Sequence, residues 1–164
     1  MEFKTLRPIF KQMFKFAALS CLSFPVLADI TLVEGHIRAM PASVPNSAAY
    51  LTLANDADRA VRLVGVRTDI AREAQLHRLI EEQGMVKMRS VDGFEIPAHG
   101  TLVLSPSGSH IMLLGLKAPL AVAQEVRLEL ILEPGEPVSV TLPVLKQADA
   151  AMQHEHHHHH EGVH

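Results

Sequence analysis

The sequence predicts an all-β domain, built as a Greek-key sandwich or barrel, and three observations lead to this prediction. Several short segments alternate apolar and polar residues, as strands with one buried face do. Proline and glycine recur about every ten to fifteen residues and separate these segments. No window has the periodicity of a long amphipathic helix. We therefore expect about seven or more short strands joined by turns, in the manner of all-β sandwiches.

Four segments carry the alternation most clearly: residues 48–55, 60–68, 125–133 and 137–144. In the third, EVRLELILE, one face is expected to hold Val126, Leu128, Leu130 and Leu132. Segment 60–68 leaves open whether Val64 or Val66 turns inward after Leu63. The intervening EPGEP is a turn, because proline and glycine end strands.

One segment is ambiguous between helix and strand. Residues 69–84, DIAREAQLHRLIEEQG, are rich in alanine, glutamate and leucine, which favours a helix by propensity. We nevertheless interpret residues 74–80 as a strand.

The first 28 residues are interpreted as a secretory signal peptide. A basic start is followed by the apolar run FAALSCLSFPVLA, which is too short to span a bilayer. Cleavage is expected between Ala28 and Asp29. The alternative is lipoprotein processing at Cys21, although ALSC is a poor lipobox because Ala18 stands where leucine is expected.

Composition then excludes several function classes for the mature chain. Cys21 is the one cysteine, so after cleavage the protein has no thiol nucleophile, thiolate metal site or disulfide. Loss of four Lys/Arg and one Glu from 15 basic and 18 acidic residues leaves 11 and 17, a net charge of −6 with histidine neutral. Such a chain does not suit nucleic acid, and no other stretch of it is long and apolar enough to cross a membrane.

Residues 29–147 are expected to form one domain, followed by a flexible tail at 148–164. The tail holds seven of the eleven histidines: His154, His156, His157, His158, His159, His160 and His164. Imidazoles alone suit Cu(II), so the tail is a candidate second metal site. An expression tag is the alternative, although the run is interrupted by Glu155 and continues into EGVH.

Two histidines and two methionines follow the spacing H-x10-M-x21-H-x-M: His77, Met88, His110 and Met112. Residues at i and i+2 of a strand share a face, which would set His110 beside Met112. A turn at Gln83–Gly84 would bring His77 and Met88 together. Thioethers favour Cu(I) and imidazole also suits copper, whereas zinc sites use His, Cys and carboxylates. The spacing alone is suggestive of a copper site, and core filling by Met112 is the alternative.

Around this array the sequence resembles the periplasmic copper chaperones of the PCuAC family, whose signature is the same spacing. The resemblance runs through SAAYLTLAN, LHRLIEEQGMVKMRSV and IPAHGTLVLSPSGSHIMLLGLKAPL. It implies a cupredoxin-like β-sandwich, a strand around His77, and Cu(I) ligation by the four residues of the array. The sequence departs from the family pattern at Arg78, whose cationic side chain is expected beside the copper site or at a partner contact. Met40 and His36 are assigned to the first strand and interpreted as structural, with a role near the metal as the alternative.

The leading functional hypothesis is a periplasmic metallochaperone, not an enzyme. The resemblance implies delivery of Cu(I) to the copper A centre of cytochrome c oxidase, or to a thioredoxin-like copper chaperone that acts before it. Copper sequestration for tolerance, with the tail as a Cu(II) store, is the alternative. A blue-copper electron carrier needs a cysteine ligand and is therefore excluded. We expect a monomer.

Overall fold

Ten β-strands and no helix make up residues 30–146, the part of the chain that the computed structural model describes. The strands are β1 (Ile30–Arg38), β2 (Asn46–Asn55), β3 (Val61–Arg67), β4 (Ala71–Glu82), β5 (Met85–Ser90), β6 (Phe94–Ile96), β7 (Gly100–Leu104), β8 (Ser109–Leu116), β9 (Glu125–Glu133) and β10 (Val138–Leu145). The all-β prediction is confirmed. The predicted signal peptide at 1–28 and the tail at 148–164 lie outside the described residues.

The strands form two layers that are continuous at one edge. Sheet A has the order β5-β4-β8-β2-β1, and β7 also pairs with β2. Sheet B has the order β10-β9-β3-β6. A short parallel pairing of β1 with β10, at Ile37↔Val144 and Arg38↔Leu145, joins them. No helix long and apolar enough to cross a membrane occurs within residues 30–146.

The hydrophobic core lies between the two sheets. Sheet B contributes the leucine face predicted for residues 125–133, since Val126, Leu128, Leu130 and Leu132 are all buried in one cluster. Sheet A contributes Leu51 and Ile111, among others. Burying each such side chain stabilises the fold by about 1.5–3 kcal/mol, so the alternation of these strands fixes which face of each sheet turns inward.

A β-bulge resolves the choice that the sequence left open in β3. The register of β3 on β9 shifts between Leu63 and Gly65. The extra residue changes the alternation, because a bulge places two residues opposite one. Val66 is therefore buried and Val64 is not.

The ambiguous segment is a strand, as predicted, and it is longer than expected. β4 pairs with β8 on one side and with β5 on the other, so strand pairing outweighs its helical propensity. Gln83 and Gly84 form the two-residue connection to β5, with φ of 55° and 73°. Positive φ at both positions is what a type I′ hairpin turn requires. This tight turn fixes the register of β5 on β4.

Candidate metal centre

The two histidines of the array meet across neighbouring strands of sheet A. His77 on β4 is directly opposite His110 on β8. Their ring centroids are 5.9 Å apart, with 52° between the ring planes. Residues directly opposite in an antiparallel pair have Cβ atoms only about 5 Å apart, so both imidazoles can contact one small ion.

The two thioethers flank this pair on the same face. Met88 on β5 is opposite Leu79, two residues after His77, and Met112 on β8 is opposite Gln75, two residues before it. Each methionine is thus a diagonal neighbour of His77, within reach of a long side chain. The structure brings the four side chains to one face of sheet A, which we call the site face. Their role as metal ligands remains a prediction.

A shallow pocket on the site face is lined by three of the four residues, Met88, His110 and Met112. Met40 lines it as well, although it was interpreted as a structural residue of the first strand. β1 ends at Arg38, so Met40 belongs to the loop that follows. Among the described residues, no carboxylate lines this pocket, and Arg38 is its one charged side chain.

A row of rings runs across the site face, although this face points away from the hydrophobic core. His110 is only 4% exposed, and Tyr50 and His36 are also buried. The centroid of Tyr50 lies 6.3 Å from that of His110 and 5.3 Å from that of His36. Pro106 lines a pocket with His36 and Tyr50 and another with Tyr50 and His110. Tyr50 stands between His110 and His36, so His36 does not join the array.

The two imidazoles differ in their hydrogen bonds. His77 Nε2 lies 2.8 Å from Gln75 Oε1, whereas His77 Nδ1 is buried and has no partner. His110 Nδ1 lies 3.3 Å from the carbonyl oxygen of Gly108. An amide or carbonyl oxygen can only accept, so in each ring the nitrogen facing it carries the proton. The other nitrogen then keeps the lone pair that a metal needs.

Electrostatics favour the metal-binding form of His77. Burial lowers the pKa of this ring, and the neighbouring His110 lowers it further. Both effects disfavour the imidazolium, because burial and a nearby like charge each oppose protonation. The neutral ring, which has a free lone pair, therefore persists at a lower pH than in an exposed histidine.

The donor set fits a soft ion rather than a hard one. Within residues 30–146, no group of three or more His, Cys, Asp or Glu side chains is arranged to hold a metal ion. The array supplies two imidazoles and two thioethers, and this combination suits Cu(I). The orphaned Nδ1 of His77 supports the same reading, since an unsatisfied buried acceptor is costly and a metal would satisfy it.

One further residue that the sequence singled out, Arg78, lies away from the site face. Arg78 was expected beside the copper site or at a partner contact. It does not lie beside the array, because it points to the opposite face of β4, with its guanidinium 5.4 Å from the ring centroid of Phe94. The histidines of the tail lie outside the described residues.

Sequence reasoning missed Gln75 and Tyr50, which contact the two histidines. For Gln75 a signal was available, because it precedes His77 by two residues and so shares its face in a strand. Tyr50 lies on another strand, and only the pairing of β2 with β8 brings it to His110.

Comparison with known proteins identifies relatives over most of the described chain. The family model "Putative lipoprotein LpqE-like" matches residues 30–144. A protein of Leifsonia xyli subsp. xyli, "Putative lipoprotein Lxx21020", is 38% identical over 99 residues, which cover 60% of this chain and 60% of the relative. The chain thus matches about 60% of the length of the curated relatives it resembles.

Two solved structures share the fold. Cu(I)-bound DR1885 from Deinococcus radiodurans is 34% identical to this chain and has a TM-score of 0.59. The match covers 80% of this chain and 86% of the DR1885 chain. The copper-bound PCuAC domain from PmoF2 is 22% identical to this chain and has a TM-score of 0.61. The match covers 73% of this chain and 95% of the PmoF2 domain. The cupredoxin-like β-sandwich predicted from the sequence is therefore confirmed.

Proposed function

The chain belongs to the LpqE-like family, and we propose that it is a copper metallochaperone that binds Cu(I) through His77, Met88, His110 and Met112. The main support for this proposal is the arrangement of the four side chains. The two histidines are opposite each other, with ring centroids 5.9 Å apart, and both methionines are diagonal neighbours of His77. A core-filling role does not account for this, because all four side chains face away from the hydrophobic core.

The choice of Cu(I) rests on the donor atoms. Two thioethers and two neutral imidazoles carry no formal charge, and thioethers prefer Cu(I) over harder dications. The lack of any carboxylate among the described pocket residues, with Arg38 nearby, disfavours a divalent ion further. A Cu(I)-bound protein that is 34% identical over 80% of this chain adds support from comparison.

The exposure of the ligands suits transfer rather than permanent retention. His110 is buried, whereas the side chain of Met88 is 48% exposed at the edge strand of sheet A. An incoming donor from an acceptor protein would therefore meet Met88 first and displace it, while the histidines still hold the ion. Thioether exchange needs no proton transfer, because thioethers bind metals without deprotonation. The protein would catalyse no covalent step.

The acceptor we propose is the copper A centre of cytochrome c oxidase, or a thioredoxin-like copper chaperone acting before it. This assignment comes from the resemblance to PCuAC proteins. Export to the periplasm is proposed from the signal-like residues 1–28. The word lipoprotein in the family description and in a relative's name agrees with export, and it strengthens the alternative of processing at Cys21. We propose a monomer without a nucleic-acid partner.

The tail is proposed as a separate Cu(II) site, on the basis of its seven histidines. It would raise the local copper concentration near the array, or it would store copper for tolerance. Titration of Cu(II) into the mature chain and into a version ending at Ala150 tests this. Unchanged binding after truncation would leave the tail without a copper role.

The chaperone proposal is tested by competition for Cu(I) with a coloured bidentate chelator under anaerobic conditions. Met88→Ala should weaken Cu(I) binding strongly. Met85→Ala is the matched control, because Met85 is on the same strand, is 56% exposed and faces the other way. It should bind like the wild type. Equal binding by all three proteins would contradict the proposed ligand set.

Delivery and tolerance are separated in a deletion strain. Loss of the chain should lower oxidase activity at limiting copper if delivery is the function. Reduced survival at high copper with normal oxidase activity would favour sequestration.

A further inference from the structure

A hydrogen-bonded chain of side chains runs along β4 toward the copper array. Glu73, Gln75 and His77 are spaced two apart, so all three lie on the site face of one strand. Gln75 Nε2 donates to Glu73 Oε1 at 2.7 Å. At the other end of the same amide, Gln75 Oε1 lies 2.8 Å from His77 Nε2.

We infer that Gln75 is a positioning residue, which fixes His77 in the tautomer that presents Nδ1 to copper. The inference rests on the proposed function and adds to it a residue outside the ligand set, together with the nitrogen that binds. His77 would use Nδ1, and His110 would use Nε2.

The orientation of the Gln75 amide follows from its two neighbours. A carboxylate has acceptors only, so the Gln75 group that faces Glu73 must be the NH2 group. The oxygen of the amide then faces His77 and can only accept. The proton of the neutral imidazole is therefore held at Nε2, and Nδ1 keeps its lone pair.

In this tautomer, the nitrogen of His77 that has no hydrogen-bond partner is the one that keeps its lone pair. Among the buried polar side-chain atoms of residues 30–146, His77 Nδ1 is the one without a hydrogen-bond partner. Leaving a buried acceptor unsatisfied is costly, because the atom has lost its water without gaining a partner. That cost is removed when Nδ1 coordinates a metal, so the bond to Gln75 prepares an acceptor that only the ion satisfies.

His110 is oriented by a different device. Its Nδ1 faces the main-chain oxygen of Gly108, in the tight turn before β8. That partner is part of the backbone and survives any side-chain substitution. Only the His77 side of the array therefore depends on a replaceable outer partner, and Gln75 is that partner.

The size of the effect can be stated from metal sites in general. Outer partners that hold a ligating histidine typically change metal affinity by about 10–100-fold when they are removed. Gln75→Leu, which keeps the bulk and removes the acceptor, should lower Cu(I) affinity within this range. Gln75→Glu keeps an acceptor oxygen for Nε2 but loses the donor to Glu73, so it should bind Cu(I) more tightly than Gln75→Leu and less tightly than the wild type.

The experiment uses the full chain, with Cu(I) as the probe, and has two readouts. Chelator competition gives the affinity of the wild type, Gln75→Leu, Gln75→Glu and His77→Ala. Nitrogen-15 NMR of labelled histidine gives the protonated and the ligating nitrogen of His77, with and without Cu(I), which is diamagnetic. The expected spectrum has a proton on Nε2 in both states and a metal-induced shift at Nδ1.

The two failures are distinguishable. If the wild type and His77→Ala bind Cu(I) equally, the proposed function fails. If His77 is required but Gln75→Leu binds like the wild type, or if copper shifts Nε2 instead, the positioning role of Gln75 is overturned and the copper site stands. Thermal unfolding checks that Gln75→Leu is folded. If it is not, the wild-type NMR assignment of the protonated and the ligating nitrogen of His77 decides the question.

Discussion

On β8, Ile111 and Leu113 point into the hydrophobic core and are completely buried, whereas His110 and Met112 point to the site face. The same division holds on β2, where Ala49 belongs to the core and Tyr50 contacts His110. One sheet thus carries two chemistries, separated by the two-residue period of its strands.

On this division, the proposed copper site lies on a face of the sheet that is separate from the hydrophobic core. The core face supplies the apolar burial that stabilises the fold. The site face supplies donors whose replacement leaves that burial in place. Neighbouring residues on one strand are therefore expected to affect different quantities, and four predictions test this separation.

The largest effect is expected on the core face. Ile111→Ala should lower the free energy of unfolding by about 2–5 kcal/mol, because it leaves a cavity among fully buried side chains. Chemical denaturation measures it. The fraction that stays folded should bind Cu(I) normally, and a loss of affinity in that fraction would mean that the two faces are coupled.

His110→Ala, one position earlier, should have the opposite profile. Cu(I) affinity should fall by more than the roughly 100-fold that loss of an outer partner can cost, because a ligand itself is removed. The loss of unfolding free energy should be smaller than that of Ile111→Ala. Chelator competition gives the Cu(I) affinity and denaturation gives the free energy of unfolding, both on the same sample. A loss of stability with unchanged Cu(I) affinity would mean that His110 serves the fold and not the metal.

Replacement of Asn55, at the end of β2 far from the array, should lower the stability of the fold without changing Cu(I) affinity. Its Nδ2 donates to the carbonyl oxygens of Arg59, Ile96 and Pro97. Asn55→Ala should cost about 1–3 kcal/mol, because buried carbonyls lose their donor. Thermal unfolding gives the cost. Cu(I) affinity should match the wild type, and a change in it would show that copper binding senses the whole sheet.

The smallest effect concerns the pH dependence of the β4–β5 hairpin. Hydrogen bonds from Lys87 and then Arg89 lower the pKa of Glu82 in the folded protein. The ionised carboxylate is therefore favoured by folding, and its stabilisation is present at neutral pH and lost as pH falls below the usual value of 4.5.

The pH dependence is measured by comparing the thermal midpoints of the wild type and Glu82→Gln. A small wild-type advantage should appear at neutral pH and shrink in acid, because both partners are solvent-exposed. An advantage that grows in acid would contradict the sign.

Much of the fold was predictable from local pattern. The alternation in residues 125–133 and the Gln83–Gly84 turn carry their own signals, and both are observed. The strand at His77 was harder, since β4 has helical propensity and becomes a strand because it pairs on both sides. The spacing of the array indicated the four candidate ligands, and strand register is what gathers them.

What could not be predicted depends on pairing across strands. Tyr50 and Met40 reach the site face only through the position of β2 and of the β1–β2 loop. Val66 faces inward only because a bulge shifts the register of β3. None of these facts has a signal within its own segment.

X-ray absorption at the copper edge shows which atoms bind the ion, when it is recorded on the full chain loaded with one equivalent of Cu(I). We expect a Cu(I) ion bound by two nitrogen and two sulfur atoms. The Met88→Ala protein should lose one sulfur, and the Met85→Ala protein should keep both. A site with nitrogen ligands alone, or a spectrum unchanged by Met88→Ala, would contradict the copper centre on the site face.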